Sequence, residues 1–333
     1  MSFDNLNNIK VKRLNLALLT LLTVLFLVFI IFFPFLWFIG LAAVPIPATL
    51  LVLRGRIRDG IICAVIACLI LIFLDYVLAP LAMIVIVSVA FVYRSFISKG
   101  KSKLFVVTGI FSIFCGAVLL YVVLVSVINR INLISQVLNS YDVYIDQIFK
   151  DQFILDYASL LSVSQSQLDL VIKQTQDVMR FFPYIIPGIL ISLFVAVSVI
   201  NYIASSKMLK RYDIKIEPFL SFKKWDLPWY FCWGAIIGLI LVIIPSIGNN
   251  FDKIIDIAGF NLLAVFGMLY LILGISVLWG IFERFRIIIV LRIIIIVILG
   301  LFSGFSIFAL PFLGLIDIWV NFRRLKRGQL ISS

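Results

Sequence analysis

Long apolar runs, each closed by a short charged or proline-bearing break, repeat from one end of the chain to the other. Many exceed the roughly 18 to 20 residues that an α-helix needs to cross a bilayer. A core helix in a large soluble protein explains one such run, but not this many. The first run, about 14–33, follows the basic stretch NNIKVKRLN. A signal peptide is the competing reading, but the run is too long for a typical apolar core and no clear cleavage site follows. Pro34 marks a turn into a second span, and Pro45 and Pro47 in VPIP are expected to bend or unwind it. Further spans are expected at 60–76, 78–94, 104–128, 184–204, 229–247 and 258–281. The last run, 287–322, is too long for one ordinary span, and SGFS at 303–306 divides it in two.

Residues 129–182 break this pattern. The stretch carries six aspartates, yet Ile134, Val137, Tyr141, Ile145 and Ile148 recur at helical spacing. A second amphipathic helix is expected to start at Ser164, with Gln167 completing a capping box, and to continue through Leu168, Val171, Thr175, Val178 and Phe182. The predicted architecture is an all-α polytopic membrane protein of about ten transmembrane helices. Its expected parts are an N-terminal five-helix bundle (1–128), an amphipathic helical insert (129–182) and a C-terminal five-helix bundle (183–333) with a basic loop at 205–227.

Composition agrees. Hydrophobic residues make up 64% of the 333 and charged residues 13%, against roughly 25% charged in soluble domains. The net charge of +12 would suggest nucleic acid in a soluble protein. Here its distribution supplies a different cause. If loops alternate sides, 23 Lys and Arg fall on one side, with both termini, and five on the other, with the insert. The positive-inside rule then places both termini in the cytoplasm and the insert outside it, in a bacterial cytoplasmic membrane. Anionic lipid at the basic loops is the expected partner, and no nucleic acid is needed.

The chain has no histidine, which removes the commonest general base and transition-metal ligand. Cys63, Cys68, Cys115 and Cys232 lack zinc-type spacing and read as small buried hydrophobes. The aspartates of the insert follow helical faces without an EF-hand pattern. No Walker or zincin motif is present, and no span holds paired carboxylates. Neither cofactor, metal nor enzyme activity is expected, and a lipid-modifying enzyme is the weakest reading. A partner ATPase or an envelope protein is compatible with the pattern.

Asp317 stands six residues before Arg323, roughly 9 Å into the membrane if the last span ends there. Arg292 stands six residues beyond Arg286 in the preceding span, at the same expected depth. An isolated charge there costs a few kcal/mol, so a tight hairpin predicts an Arg292–Asp317 ion pair. The alternatives are separate snorkelling of both charges and a transport carboxylate acting alone. Asp75 is a vestibule candidate or an acid in headgroup water. Asn201 and Asn261 are candidates for interhelical bonds or for a ligand pocket, together with the broken backbone at Pro45 and Pro47. Gly234 with Gly238, and Gly300 with Gly304, fit a small-xxx-small packing pattern, although Gly304 falls nearer the expected turn.

The order of several segments carries a resemblance: VPIPATLLVLR, then FFPYIIPGILISLFVAVSVINYIASSKMLKRY, PFLSFKKWDLPW, and the closing LGLIDIWVNFRRLK. The chain resembles the YybS-like family of bacterial membrane proteins, over nearly its whole length. Asn321 stands where an acid is expected in many such tails. The N-terminal half is similar in style to the substrate-binding S components of energy-coupling-factor transporters. That resemblance implies a compact bundle that borrows an ATPase and binds a small molecule; the contrasting expectation is a membrane scaffold. A pocket of roughly 300 Å³ or more lined by polar groups favours transport, and an exposed apolar stripe on 134–148 favours scaffolding.

Overall fold

Prolines, glycines and left-handed residues cut the apolar sequence into helices, and in the computed structural model each expected span falls on one helix, except the second, which falls on two. Residues 15–33, 36–73, 75–150, 165–212, 214, 216–244 and 250–325 are described. The first helices are α1 (Leu16–Phe32), α2 (Trp37–Ala43), α3 (Ile46–Leu53), α4 (Ile57–Leu71), α5 (Leu78–Lys99) and α6 (Lys103–Asn129). The insert forms α7 (Leu133–Lys150) and α8 (Gln165–Phe181). Then come α9 (Ile186–Lys210), α10 (Cys232–Ile243), α11 (Asn250–Arg284), α12 (Ile289–Leu301) and α13 (Ser303–Val320). Among the described residues, five helices are long and apolar enough to cross a membrane, and shorter apolar helices accompany them. Pro34 and Ser164 lie outside the described residues.

The chain separates into two compact units: residues 1–181 with 193–219, and 182–192 with 220–333. Where the sequence suggested three segments, the insert groups with the first five spans, and the division runs through α9.

In the first unit, small side chains let the helices approach. Ala48, Ala64, Ala67, Cys68 and Ala79 form a buried cluster with Leu27, Val44, Leu71 and Ile86. Cys63 and Cys68 are buried free thiols here, as Cys232 is in the second unit, whereas Cys115, expected to be buried too, is half-buried. The second span breaks between Ala43 and Ile46, as VPIP predicts, because Pro45 and Pro47 lack the N–H groups that would continue the ladder. Gly100 in the left-handed region ends α5. At one end of this unit, Arg54 donates to the Tyr212 carbonyl, Lys103 pairs with Glu217 at 2.6 Å, and the Tyr202 hydroxyl donates to the Glu217 carbonyl at 2.7 Å. These bonds gather the basic loops around 54–58, 99–103 and 207–217.

The insert helices meet where Arg180 of α8 pairs with Asp146 of α7. Burial is concentrated there. Ile145 is buried, and Tyr141 and Ile148 are half-buried. Ile134 and Val137, on the same sequence stripe, are 60% and 52% exposed.

In the second unit, α11 packs against α10 and α13. The GAIIG pattern does pack: a Cβ on Gly238 would meet Leu262 at 3.1 Å, and one on Gly234 would strike the Phe266 ring. Gly300 and Gly304 have nothing within 4 Å and make no such contact. Tyr270, Leu273, Val277 and Ile318 form the core cluster.

Candidate functional site

Among the described residues of the second unit, the acid inside the last apolar run is the best-enclosed charge. Asp317 sits in the last turn of α13, with a side chain 0% exposed. The helix ends three residues on, at Val320. Asn321 then takes a left-handed conformation, φ 52°, with its N–H returned to the Asp317 carbonyl at 2.9 Å. Asparagine tolerates this conformation better than most residues. The reversal brings Arg323 back over the helix end. Its Nε and Nη2 both reach Asp317 Oδ2, at 3.0 and 2.8 Å.

The rest of the guanidinium is also engaged. Nη1 donates to the carbonyls of Lys223 (3.1 Å) and Trp225 (2.6 Å) and to Ser276 Oγ (2.9 Å). Asp226 Oδ1 lies 3.7 Å from Nη2. Ser276 in turn donates to the Phe222 carbonyl at 2.6 Å. Gly280 admits the arginine stem, since a Cβ there would fall 2.8 Å from both Arg323 Cγ and Cδ. Lys223 pairs with Glu283, and Arg284 donates to the Phe322 carbonyl. One arginine therefore ties the chain's last described turn, the FKKWDLP segment and the end of α11 together. A planar five-donor guanidinium suits such a set of acceptors; a lysine ammonium does not.

The expected Arg292–Asp317 pair is corrected by this arrangement. Arg292 Nε donates to the Ile287 carbonyl at 2.8 Å, and Nη2 reaches the Phe282 carbonyl at 3.4 Å. Its guanidinium carbon lies 5.9 Å from the Trp279 ring centre. The physical reason is local. Only four residues link α11 to α12, so Arg292 stands beside the C-terminal carbonyls of α11, where a helix end attracts cations.

The weaker pocket candidates are spent on internal bonds. Asn201, buried on α9, donates Nδ2–H to the Ala42 carbonyl at 2.6 Å and accepts from the Tyr93 hydroxyl at 2.9 Å. It thus serves a carbonyl at the Pro45–Pro47 break, and both prolines are themselves buried. Asn261 of α11 accepts from the Gly188 N–H (2.6 Å) and donates to the carbonyls of Tyr184 and Ile257 (2.7 Å each). Tyr93, Ser276 and Arg323 escaped the sequence reading. Only Asn321, a residue suited to ending a helix and reversing the chain, hinted at the last of these.

Asp75 caps α5, accepting from the N–H groups of Val77 (2.8 Å) and Leu78 (2.9 Å) and from the Tyr121 hydroxyl (3.1 Å). Burial opposes its ionisation, but the Leu78 and Val77 N–H groups and Tyr121 outweigh it, and the carboxyl is held below its usual range. A depressed pKa means that the cap's stabilisation is complete above the unfolded value, roughly 3.9, and fades as pH falls through the folded one. Amide exchange at the start of α5 is expected to quicken on acidification below that range. Asp75→Asn should keep the cap and lose the pH dependence, with an effect well under about 1 kcal/mol because the site is largely solvated.

Among the described residues, no group of three or more His, Cys, Asp or Glu could hold a metal ion. No curated protein and no solved structure matches the chain. One family model matches residues 20–318 under the description "Predicted membrane protein (DUF2232)". A multi-pass helical membrane protein by sequence, fold and this match, the chain belongs to that family.

Proposed function

We propose that the protein is a scaffold of the bacterial cytoplasmic membrane whose helical insert recruits an envelope protein, while its basic ends face anionic lipid. The carrying observation is the insert itself. Ile134, Val137, Val143 and Tyr144 of α7 stand exposed on this helix pair. Meanwhile Asn201, Asn261 and Asp75 are each consumed by bonds inside the protein. In this reading ten helices cross the membrane and both termini are cytoplasmic. The gathering of basic loops at one end of the first unit supports it. So does the meeting of Lys223, Glu283, Arg284 and Arg323 in the second.

The test is site-specific photocrosslinking from Val137 and Tyr144 in intact cells. The expected product joins the chain to an envelope protein and disappears with Val137→Asp. Crosslinks to lipid alone would overturn the reading.

A second reading, in which the chain binds a small molecule as energy-coupling-factor S components do and resembles YybS-like proteins, draws on the broken helix at Val44–Pro45. Irregular backbone at membrane depth lines a cavity or is buried in protein. Here Asn201 takes the Ala42 carbonyl, which favours the scaffold. Native mass spectrometry separates the two: a stoichiometric small molecule retained on the purified protein supports the second reading.

A further inference from the structure

α8 has two faces of different character. Ile172 and Gln176 are half-buried, and Arg180 pairs with Asp146 of α7. A separate stripe faces away. Val171 is 56% exposed, Val178 is 72% exposed, and Thr175 between them is exposed as well. Thr175 does not need a polar partner, because its hydroxyl already donates to the Val171 carbonyl at 2.7 Å. In sequence the stripe runs Leu168, Val171, Thr175, Val178, Phe182, alternating steps of three and four residues. That is the spacing of a coiled-coil seam.

From this stripe we infer that α8 pairs with α8 of a second copy of the chain, Thr175 against Thr175. The inference rests on the scaffold reading and names one occupant of the insert. Three observations favour a copy over other coverings. First, at 100° per residue, Asp169, Lys173, Asp177 and Arg180 all lie on the side of α8 opposite the stripe, and its flanks are Gln167, Gln174, Ile172 and Met179. Two identical helices meet there without like-charge contact, which would otherwise oppose self-pairing. Second, the polar face carries two acids and two bases. It lacks the basic excess by which surface helices bind anionic lipid. Third, in a parallel pair every position of the stripe meets its own copy across a two-fold axis along the helices, so Leu168, Val171, Val178 and Phe182 each find an apolar partner. A seam of this length is marginal alone. Confinement of two copies to one membrane raises their effective concentration and offsets the short contact.

The test is disulfide trapping of the full-length chain in native membranes under mild copper-phenanthroline oxidation. The unchanged protein, with its four native cysteines, sets the baseline. Thr175→Cys is expected to yield a band at twice the chain mass, at least about tenfold above Lys173→Cys on the opposite face, as effective concentration at a specific seam requires. Adding Val171→Asp and Val178→Asp should remove that band while the thermal melt in detergent stays unchanged. Equal trapping at positions 173 and 175, or no trapping at 175 in a protein that melts normally, would overturn the inference. A Thr175→Cys adduct with a different protein would also overturn it, yet leave the scaffold reading standing. Loss of the envelope crosslinks from Val137 and Tyr144 would remove that reading without deciding the seam.

Discussion

Replacing Arg323 by leucine is expected to destabilise the second unit by about 3–5 kcal/mol, the range for removing one partner of a buried ion pair. The change leaves the enclosed Asp317 carboxylate without its guanidinium. It also takes the donor from the carbonyls of Lys223 and Trp225 and from Ser276 Oγ. The cost of such a site lies mostly in the groups left behind. Asp317→Leu alone should therefore also be severe, because it leaves a cation whose side chain is only 2% exposed with Asp226, at 3.7 Å, as its remaining acidic partner. The double replacement should be milder than the sum of the singles. Arg323→Lys should recover little, since an ammonium cannot reach acceptors arrayed around a planar fork. The measurement is thermal unfolding in detergent of the four variants, with limited proteolysis between Leu220 and Trp229 as a local readout. Additive singles, or an unchanged proteolysis pattern for Arg323→Leu, would remove the latch.

This latch also marks where sequence reading ended. Apolar run length located the helices, and proline chemistry located the break at VPIP, whereas α5 runs on past the expected end at 94 to Lys99, where Gly100 stops it. Asn201 and Asn261 were visible as interhelical polar groups because a primary amide in an apolar run must bond to something. The Arg292–Asp317 pair failed for a specific reason. Equal depth in two adjacent spans says nothing about rotation around each helix, or about nearer acceptors. Arg292 found the carbonyls of Phe282 and Ile287 first. Asp317 found an arginine six residues away, a spacing that faces different sides of a continuous helix. It becomes a contact only because Asn321 reverses the chain. The acceptors from Lys223 and Trp225 lie about a hundred residues away in sequence, and their backbone carbonyls carry no residue-type signal. The α7 stripe shows the same limit. Its five apolar positions share one helical face, yet contact near Asp146 buries one part and leaves Ile134 and Val137 exposed.

Substituting even alanine for Gly314 is expected to break the α11–α13 packing, and leucine more so. The two helices cross with glycine against glycine. A Cβ on Gly314 would fall 2.7 Å from the Gly274 nitrogen and closer still to the Tyr270 carbonyl oxygen; a Cβ on Gly274 would land on the Leu310 carbonyl. These obstacles are backbone atoms, so no rotamer change relieves them, and the helices must separate. Within lipid, apolar burial no longer drives helix association, and close packing of small residues carries it instead. Separation forfeits many dispersion contacts at once, including those of the Tyr270, Leu273, Val277 and Ile318 cluster. It would also draw Ser276 of α11 away from Arg323, which stays with Asp317 at the end of α13, so the packing defect should open the latch as well. Gly267 is the internal control, on the same helix seven residues before Gly274, with nothing within 4 Å of the point where a methyl group would sit. Gly267→Ala should be neutral or gain up to about 1 kcal/mol from helix propensity. Melting in detergent should therefore rank Gly267→Ala at or above the unchanged protein, Gly314→Ala and Gly274→Ala well below it, and Gly314→Leu lowest. If Gly314→Ala matched Gly267→Ala, the close crossing of α11 and α13 would be refuted.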